Sequence, residues 1–279
     1  MSEAPAYPFS DLSLSRRLER AEAQSNIDFV EARARAFPES RARHLEVAGT
    51  HAMFDGVDSP LTQTFGLGME QAVAPGDMDR LEVFFKDLGA PVFHEVSPLA
   101  DPSALDLLNR RGYEPFEFTS VMFRPIAASQ GETVTGDPSS PSVSARLVGA
   151  SENELWAQTS SLGWSESPEL GAFMLTFSRV SAMKTSGHAF LAEADGVAIA
   201  AGGLTIHGGV ALLAGASTVP EGRRRGAQNA LLAARLHFAA EQGCDIAMMC
   251  ALPGSASQRN AERQGFRIAY TRVKWRKRG

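Results

Sequence analysis

Two cysteines are all that this 279-residue chain contains, and their spacing excludes two classes of protein at once. Cys244 and Cys250 share the stretch CDIAMMC. No second Cys or His pair completes a four-ligand zinc set, and two thiols cannot build a disulfide framework. They read as small apolar residues of a buried strand. Long apolar runs are missing too: nothing approaches the ~18 residues needed to span a bilayer, so no membrane-spanning helix is expected. The opening MSEAPAYPFS has no basic n-region and no apolar h-region, which predicts no secretory signal and a cytoplasmic location. Nor is positive charge in excess. Lys and Arg total 27 against 32 Asp and Glu, a formal net charge of −5, which argues against a surface given over to nucleic acid. With 44% hydrophobic and 21% charged residues, collagen, coiled coil and wholesale disorder are also excluded.

What is present divides in two. Residues 127–142, AASQGETVTGDPSSPS, are rich in Ser, Thr, Gly and Pro, bury almost nothing, and read as a linker between domains at 1–126 and 143–279. In the first half, helical spacing runs from Ser10 to Phe37, with Leu14, Leu18 and Ala21 in one segment and Ile27, Val30, Ala34 and Phe37 in a second. Strands are expected at 44–54, 61–67, 91–96 and 116–123, and helices at 77–88 and 102–111. The second half repeats the order, with strands at 142–148, 188–193, 197–206, 210–219, 245–250 and 267–274. Broken helices fall around GWSESPE in 152–183, and further helices at 226–242 and 255–264. Ala227, Leu231, Ala234 and Phe238 make one apolar face of the helix at 226–242. Gly89 and Gly112 end two helices in the first half, Gly243 and Gly265 end two in the second, and an aromatic, Tyr113 or Phe266, follows each later glycine. This self-similarity predicts an internal duplication.

The chemistry concentrates in ASTVPEGRRRGAQNALLAARL, residues 216–236. A strand runs into Val219–Pro220, where proline ends the ladder. Arg223, Arg224 and Arg225 follow, and Gly226 allows close approach of backbone to a ligand. The helix start then offers free N–H groups and partial positive charge. Together these describe a pyrophosphate-binding loop or, more plainly, a solvated basic turn.

Here the sequence resembles the GNAT superfamily of acyl-CoA-dependent N-acyltransferases. Val219, Pro220, Arg223 and Gly226 match its strand, P-x-x-R-x-x-G-x-G/A loop and helix, with Gln228 standing where Gly or Ala is usual. Ser257, Arg259, Asn260, Glu262, Gly265 and Phe266 match the S-x-R-N-x-E-K/R-x-G-F element of many members. The resemblance implies an α/β fold of two tandem GNAT-like domains, each a mixed, mostly antiparallel sheet flanked by helices. It also implies acetyl-CoA as co-substrate, no metal, and transfer of an acyl group to an amine of a small molecule or peptide. Backbone groups of Ser217, Thr218 and Val219 would then bind the pantetheine arm. The N–H groups of Arg224, Arg225, Gly226, Ala227, Gln228 and Asn229 would bind the diphosphate, and Asn260 would also contact the cofactor.

The glutamate that many members carry on the strand before the loop is missing from VALLAGASTV, and Ala261 replaces a frequent tyrosine. Ser257 is therefore the candidate acid or an ordinary helix-start serine. Glu166 is the leading candidate base, with Glu169 and His207 behind it; each also reads as an exposed polar residue. In the first half, the position corresponding to Gly226 is Ala72, and Asp77 and Asp79 stand at the helix start, which predicts a copy that has lost cofactor binding. The terminal run RVKWRKRG reads as a charged edge strand with a frayed tail or as a surface for nucleic acid or an acidic partner. The alternative to an enzyme is a catalytically silent CoA-binding or regulatory protein; a third reading is a basic-tailed interaction protein.

Overall fold

The computed structural model describes residues 6–126 and 143–278; the expected linker at 127–142 lies outside them. The chain forms two compact units. One joins Tyr7–Arg124 to Met248–Gly279, and the other holds Pro125–Ala247.

The first unit opens with α1 (Leu12–Ala36), a single helix where two segments were expected. Its sequence has no Pro or Gly to break it, and the Asp11 carboxylate caps it by accepting from the Leu14 N–H at 2.9 Å. The expected strand at 44–54 is a hairpin of β1 (Arg43–Val47) and β2 (Thr50–Phe54). Ala48 and Gly49 take φ of 51° and 77°, the two left-handed residues of a tight hairpin loop. There follow β3 (Gln63–Phe65), α2 (Pro75–Asp87), β4 (Phe93–Val96), α3 (Pro102–Arg110) and β5 (Tyr113–Pro125). The second unit contains β6 (Ser144–Leu147), α4 (Asn153–Leu162), α5 (Pro168–Ser181), β7 (Gly187–Ala194), β8 (Val197–His207), β9 (Val210–Thr218) and α6 (Ala227–Glu241). Strand β10 (Ile246–Ala251) crosses the boundary, and α7 (Ala256–Arg263) and β11 (Arg267–Lys277) return to the first unit.

In the first unit the strand order is β1-β2-β3-β4-β11-β5, antiparallel except for the β3–β4 pair. In the second, β6 to β9 form an antiparallel meander. The repeat is visible in the backbone: α2–β4–α3–β5 has the same order as α6–β10–α7–β11. Gly89, Gly112, Gly243 and Gly265 end their helices at φ between 70° and 81°. Helices α2 and α3 bury Met78, Leu81, Phe85 and Leu108 against Phe54, Val96 and Tyr113. On the opposite face, α1 packs Ala23, Ile27 and Val30 on Met53 and Phe65. In the second unit, Trp156 and Ala157 of α4 pack on Leu191 and Ala201, and the Trp156 indole N–H donates to the Gly202 carbonyl at 3.2 Å.

The basic C-terminal run is not an edge strand. β11 lies between β4 and β5 and pairs with both, which is why the chain's end joins the first unit. Its charges face internal acids. Arg272, 1% exposed, reaches Glu22 at 2.6 Å and Glu19 and Glu95 at 3.3 Å each. Tyr270 donates to Glu19 at 2.8 Å. Burial of an unpaired guanidinium would cost several kcal/mol, and this ring of carboxylates offsets it. The carboxylates outnumber the cation. Burial, with Glu22 and Glu19 adding to it against the pull of Arg272, pushes Glu95 up to about 7. Cys250 belongs to this cluster and not to an apolar core: its thiol donates to Glu22 at 3.2 Å, and Arg272 lies 3.3 Å from the sulfur. Cys244 is buried but precedes β10. Beyond Arg272, Arg276 and Arg278 pair with Glu114, and Lys277 with Glu82.

Candidate cofactor-binding site

The site is built at the end of β9. Between Ala201↔Ser217 and Gly203↔Ala214, β8 advances two residues while β9 advances three, so β9 carries a bulge. Gly215, at φ 64°, supplies the left-handed residue that such a bulge favours. Ala214, Gly215 and Ala216 are exposed, and the bulge leaves Gly215 and Ala216 without a partner in β8. After Thr218 the chain leaves the ladder. The Val219 N–H donates to the Ile199 carbonyl at 3.0 Å, and its carbonyl accepts from the Gly222 N–H at 2.9 Å. The N–H of Val219, expected to meet the pantetheine arm, is thus committed inside the fold.

Pro220–Gly222 make one short turn, and the loop then twists through left-handed backbone at Arg224 (φ 63°) and Gly226 (φ 86°) before α6 starts. A side chain at Gly226 would meet nothing within 4 Å, so the helix start faces open space. Asn229 already donates to the Gly226 carbonyl at 3.0 Å, so its N–H is removed from the expected diphosphate set. The preceding N–H groups at Ala227 and Gln228 belong to the first turn, where no helical carbonyl is in reach. Gln228 does not crowd the site: its amide donates to the Thr218 hydroxyl at 2.7 Å and ties helix to strand. Of the two first-turn residues, Gln228 is exposed and Ala227 is buried. Left-handed backbone, a first-turn N–H at an exposed residue and three arginines fit a diphosphate.

The arginines differ. Arg223 donates to both Glu166 oxygens, at 2.7 and 3.2 Å, and Arg225 to Asp195 at 3.0 Å. Arg224 has no carboxylate partner among the described residues. The hydrogen bonds from Arg223 hold the Glu166 carboxyl below the usual carboxylate range, which makes it a weaker base. Glu166 sits in the turn between α4 and α5, and that turn rests on the strand. Gly163 packs so closely that a Cβ there would lie 2.5 Å from the Ser217 Cβ. The Ser217 hydroxyl donates to the Ser160 carbonyl at 2.8 Å. Sequence reasoning missed Gly163 and Asp195; the close approach of Gly163 to β9 and the ion pair of Asp195 carry no local sequence mark.

The other candidates fall elsewhere. His207 is exposed at the end of β8, beside the left-handed Gly208 and Gly209, and Glu169 is exposed in the first turn of α5. Ser257 and Asn260 lie on α7, in the other compact unit, and both are exposed. The helix cap there is Ser255, whose hydroxyl accepts from the Gln258 N–H at 3.1 Å, so Ser257 has no capping duty. Asn260 accepts from Arg263 at 2.8 Å. In the first half the corresponding helix start is self-occupied. Asp77 accepts from the Ala74 N–H at 2.9 Å, and Ser103 accepts from the Val73 N–H at 2.8 Å. Asp79 pairs with Arg111 at 2.7 Å. An anion would meet carboxylate there. Among the described residues, no group of three His, Cys, Asp or Glu could hold a metal, and no helix is long and apolar enough to cross a membrane.

Residues 153–266 match the family model "Acetyltransferase (GNAT) family". No curated protein sequence matches the chain. Among solved structures, a GCN5-related N-acetyltransferase from Kribbella flavida is similar in fold, with 20% identity, 90% of this chain and 94% of that chain covered, and a TM-score of 0.61. A tandem GNAT protein from the clavulanic acid biosynthesis pathway shares 13% identity over 82% of this chain and 78% of its own, with a TM-score of 0.58. Both likenesses are of fold, and both extend over most of this chain. Residues 153–266 are thus similar in sequence to the GNAT acetyltransferase family, and the chain as a whole is similar in fold to GNAT proteins.

Proposed function

We propose that the protein is an N-acetyltransferase that moves an acetyl or related acyl group from acetyl-CoA to an amine of a small molecule or peptide. The observation that carries this reading is the loop at 223–226: an Arg224 with no carboxylate partner among the described residues and an open Gly226, both in left-handed backbone, at the start of α6 and just after a bulged strand. When bound, acetyl-CoA supplies an acyl group already activated as a thioester. Arg224 and the N–H groups from Arg224 to Gln228 are the proposed diphosphate holders, Ser217 and Thr218 the proposed backbone partners of the pantetheine arm, and Asn260 a further cofactor contact. Exposed backbone donors at the β9 bulge are of the kind that stabilise developing oxygen charge without a metal. Ser257, free of capping duty, is the proposed proton donor through its Oγ.

A second reading, a catalytically silent CoA-binding or regulatory protein, is favoured by two observations. β9 carries no carboxylate, and Glu166 is held by Arg223. Incubation with acetyl-CoA and a panel of small-molecule and peptide amines, read by release of free thiol, separates the two. Amine-dependent release is expected. CoA binding without release across the panel would select the silent protein.

A further inference from the structure

Two carboxylates occupy arginines of the cofactor loop, and both are exposed. The Glu166 and Asp195 side chains are 71% and 74% accessible, while their partners Arg223 and Arg225 are 41% and 33% accessible. Exposed pairs of this kind hold weakly because water screens them and two long side chains must be ordered. A phosphate offers the same guanidinium forks more charge and more acceptor oxygens. The loop is therefore already in the state in which it would meet an anion, with protein carboxylates in the anion's place.

We propose that Glu166 is a cofactor-displaced latch: it holds Arg223 until phosphate takes that arginine, and its release makes it a positioning residue for the acceptor amine. This rests on the proposed acyl-CoA function. The turn bearing Glu166 has two attachments to the cofactor strand and loop. One is steric and permanent, Gly163 against Ser217 with the Ser217–Ser160 hydrogen bond beside it. The other is ionic and exchangeable, Glu166 on Arg223. Loss of the second leaves the turn seated at Gly163 and frees the segment that carries Trp164 and Glu166. Trp164 is itself exposed. The carboxylate then becomes available to an ammonium group only after the cofactor has bound. Asp195 on Arg225 lies in the β7–β8 turn, at φ 54°, and acts as a second, independent stand-in.

The test is calorimetric titration of CoA into the wild type, Glu166→Gln, Arg223→Gln and the double variant. Carboxyl-detected NMR of Glu166 is recorded in parallel, with and without CoA. Removing the competitor should tighten CoA binding about two- to fivefold, the worth of one exposed pair. Arg223→Gln should weaken binding, and the double variant should match Arg223→Gln with no added gain. Glu166 should titrate higher with CoA than without it, and with acetyl-CoA the Glu166→Gln protein should show a raised KM for the amine. Unchanged or weaker CoA binding by Glu166→Gln, or a Glu166 titration that CoA does not move, would overturn the latch. If the wild type binds no CoA, the acyl-CoA function falls. Inorganic pyrophosphate then tests the latch alone: a raised Glu166 titration supports it, and an unmoved one removes it.

Discussion

Gly163→Ala is a one-carbon probe of how the turn after α4 is seated on β9. Gly163 has φ −60° and ψ −15°, which alanine adopts freely, so the backbone itself raises no objection. On that ground the substitution would stabilise by about 0.4–1 kcal/mol through the unfolded chain. The surroundings oppose it. The new methyl would lie 2.5 Å from the Ser217 Cβ, 2.7 Å from its Oγ and 3.1 Å from the Thr218 N. Carbon atoms prefer about 3.5–4.0 Å, so strand and turn must part by roughly 1 Å. Overpacking of this kind costs about 1–3 kcal/mol, which leaves a net loss of roughly 1–2 kcal/mol. Scanning calorimetry should show Tm lower by about 2–8 °C. Because Ser217 and Thr218 move, titration of CoA should also show weaker binding. Ser217→Gly removes the offending Cβ, so Gly163→Ala should lower Tm much less in that background than in the wild type. A Gly163→Ala protein as stable as the wild type would refute the close seating of this turn.

Three further outcomes follow from the same geometry. Glu95 has a folded-state value raised from 4.5 to about 7, so its stabilising contribution is complete below pH 4.5 and is lost as pH rises through 7. That loss is roughly 3 kcal/mol. Urea melts of Glu95→Gln at pH 5 and pH 8 should differ less than those of the wild type, and equal pH slopes would contradict the assignment. Arg272→Met leaves three carboxylates without their cation and should cost about 3–5 kcal/mol in chemical denaturation; a neutral result would show that the cluster is already protonated. Ser257→Ala, on an exposed face without a cap role, should leave stability within about 0.5 kcal/mol yet lower turnover about 100-fold or more. Wild-type turnover would remove Ser257 from the chemistry.

The parts legible in the sequence were those whose signal is local. The arginine loop, the breaks around GWSESPE and the four helix-ending glycines each lie within a short window; of the two carboxylates expected to satisfy the helix start at 77, Asp77 accepts from the Ala74 N–H while Asp79 pairs with Arg111. What escaped depended on distance along the chain. Arg272 looked like one charge of a basic tail because its partners Glu19 and Glu22 stand some 250 residues earlier. With those partners unseen, β11 read as an edge strand although it lies between two others. Arg235 shows the same limit inside a helix. Periodicity chose Ala234 and Phe238 for the buried face of α6, yet Arg235 is 4% exposed. It donates to the Leu231 and Gly203 carbonyls at 3.1 and 3.2 Å. Its guanidinium fits because Gly202 has no Cβ, which would lie 3.2 Å away. The adjacent Gly202–Gly203 pair was the trace of that fit. The β1–β2 turn was missed because alanine, in place of the usual Asn or Asp, precedes Gly49.

The central claim is that the loop from Arg223 to Gly226 binds acyl-CoA, and thermal unfolding with and without saturating acetyl-CoA tests it most directly. The account predicts a raised Tm for the wild type, since a ligand at 100 times its Kd stabilises by about 2.7 kcal/mol. It also predicts no shift for the Arg224→Glu, Gly226→Asp double variant. A wild-type Tm that acetyl-CoA leaves unchanged would contradict it.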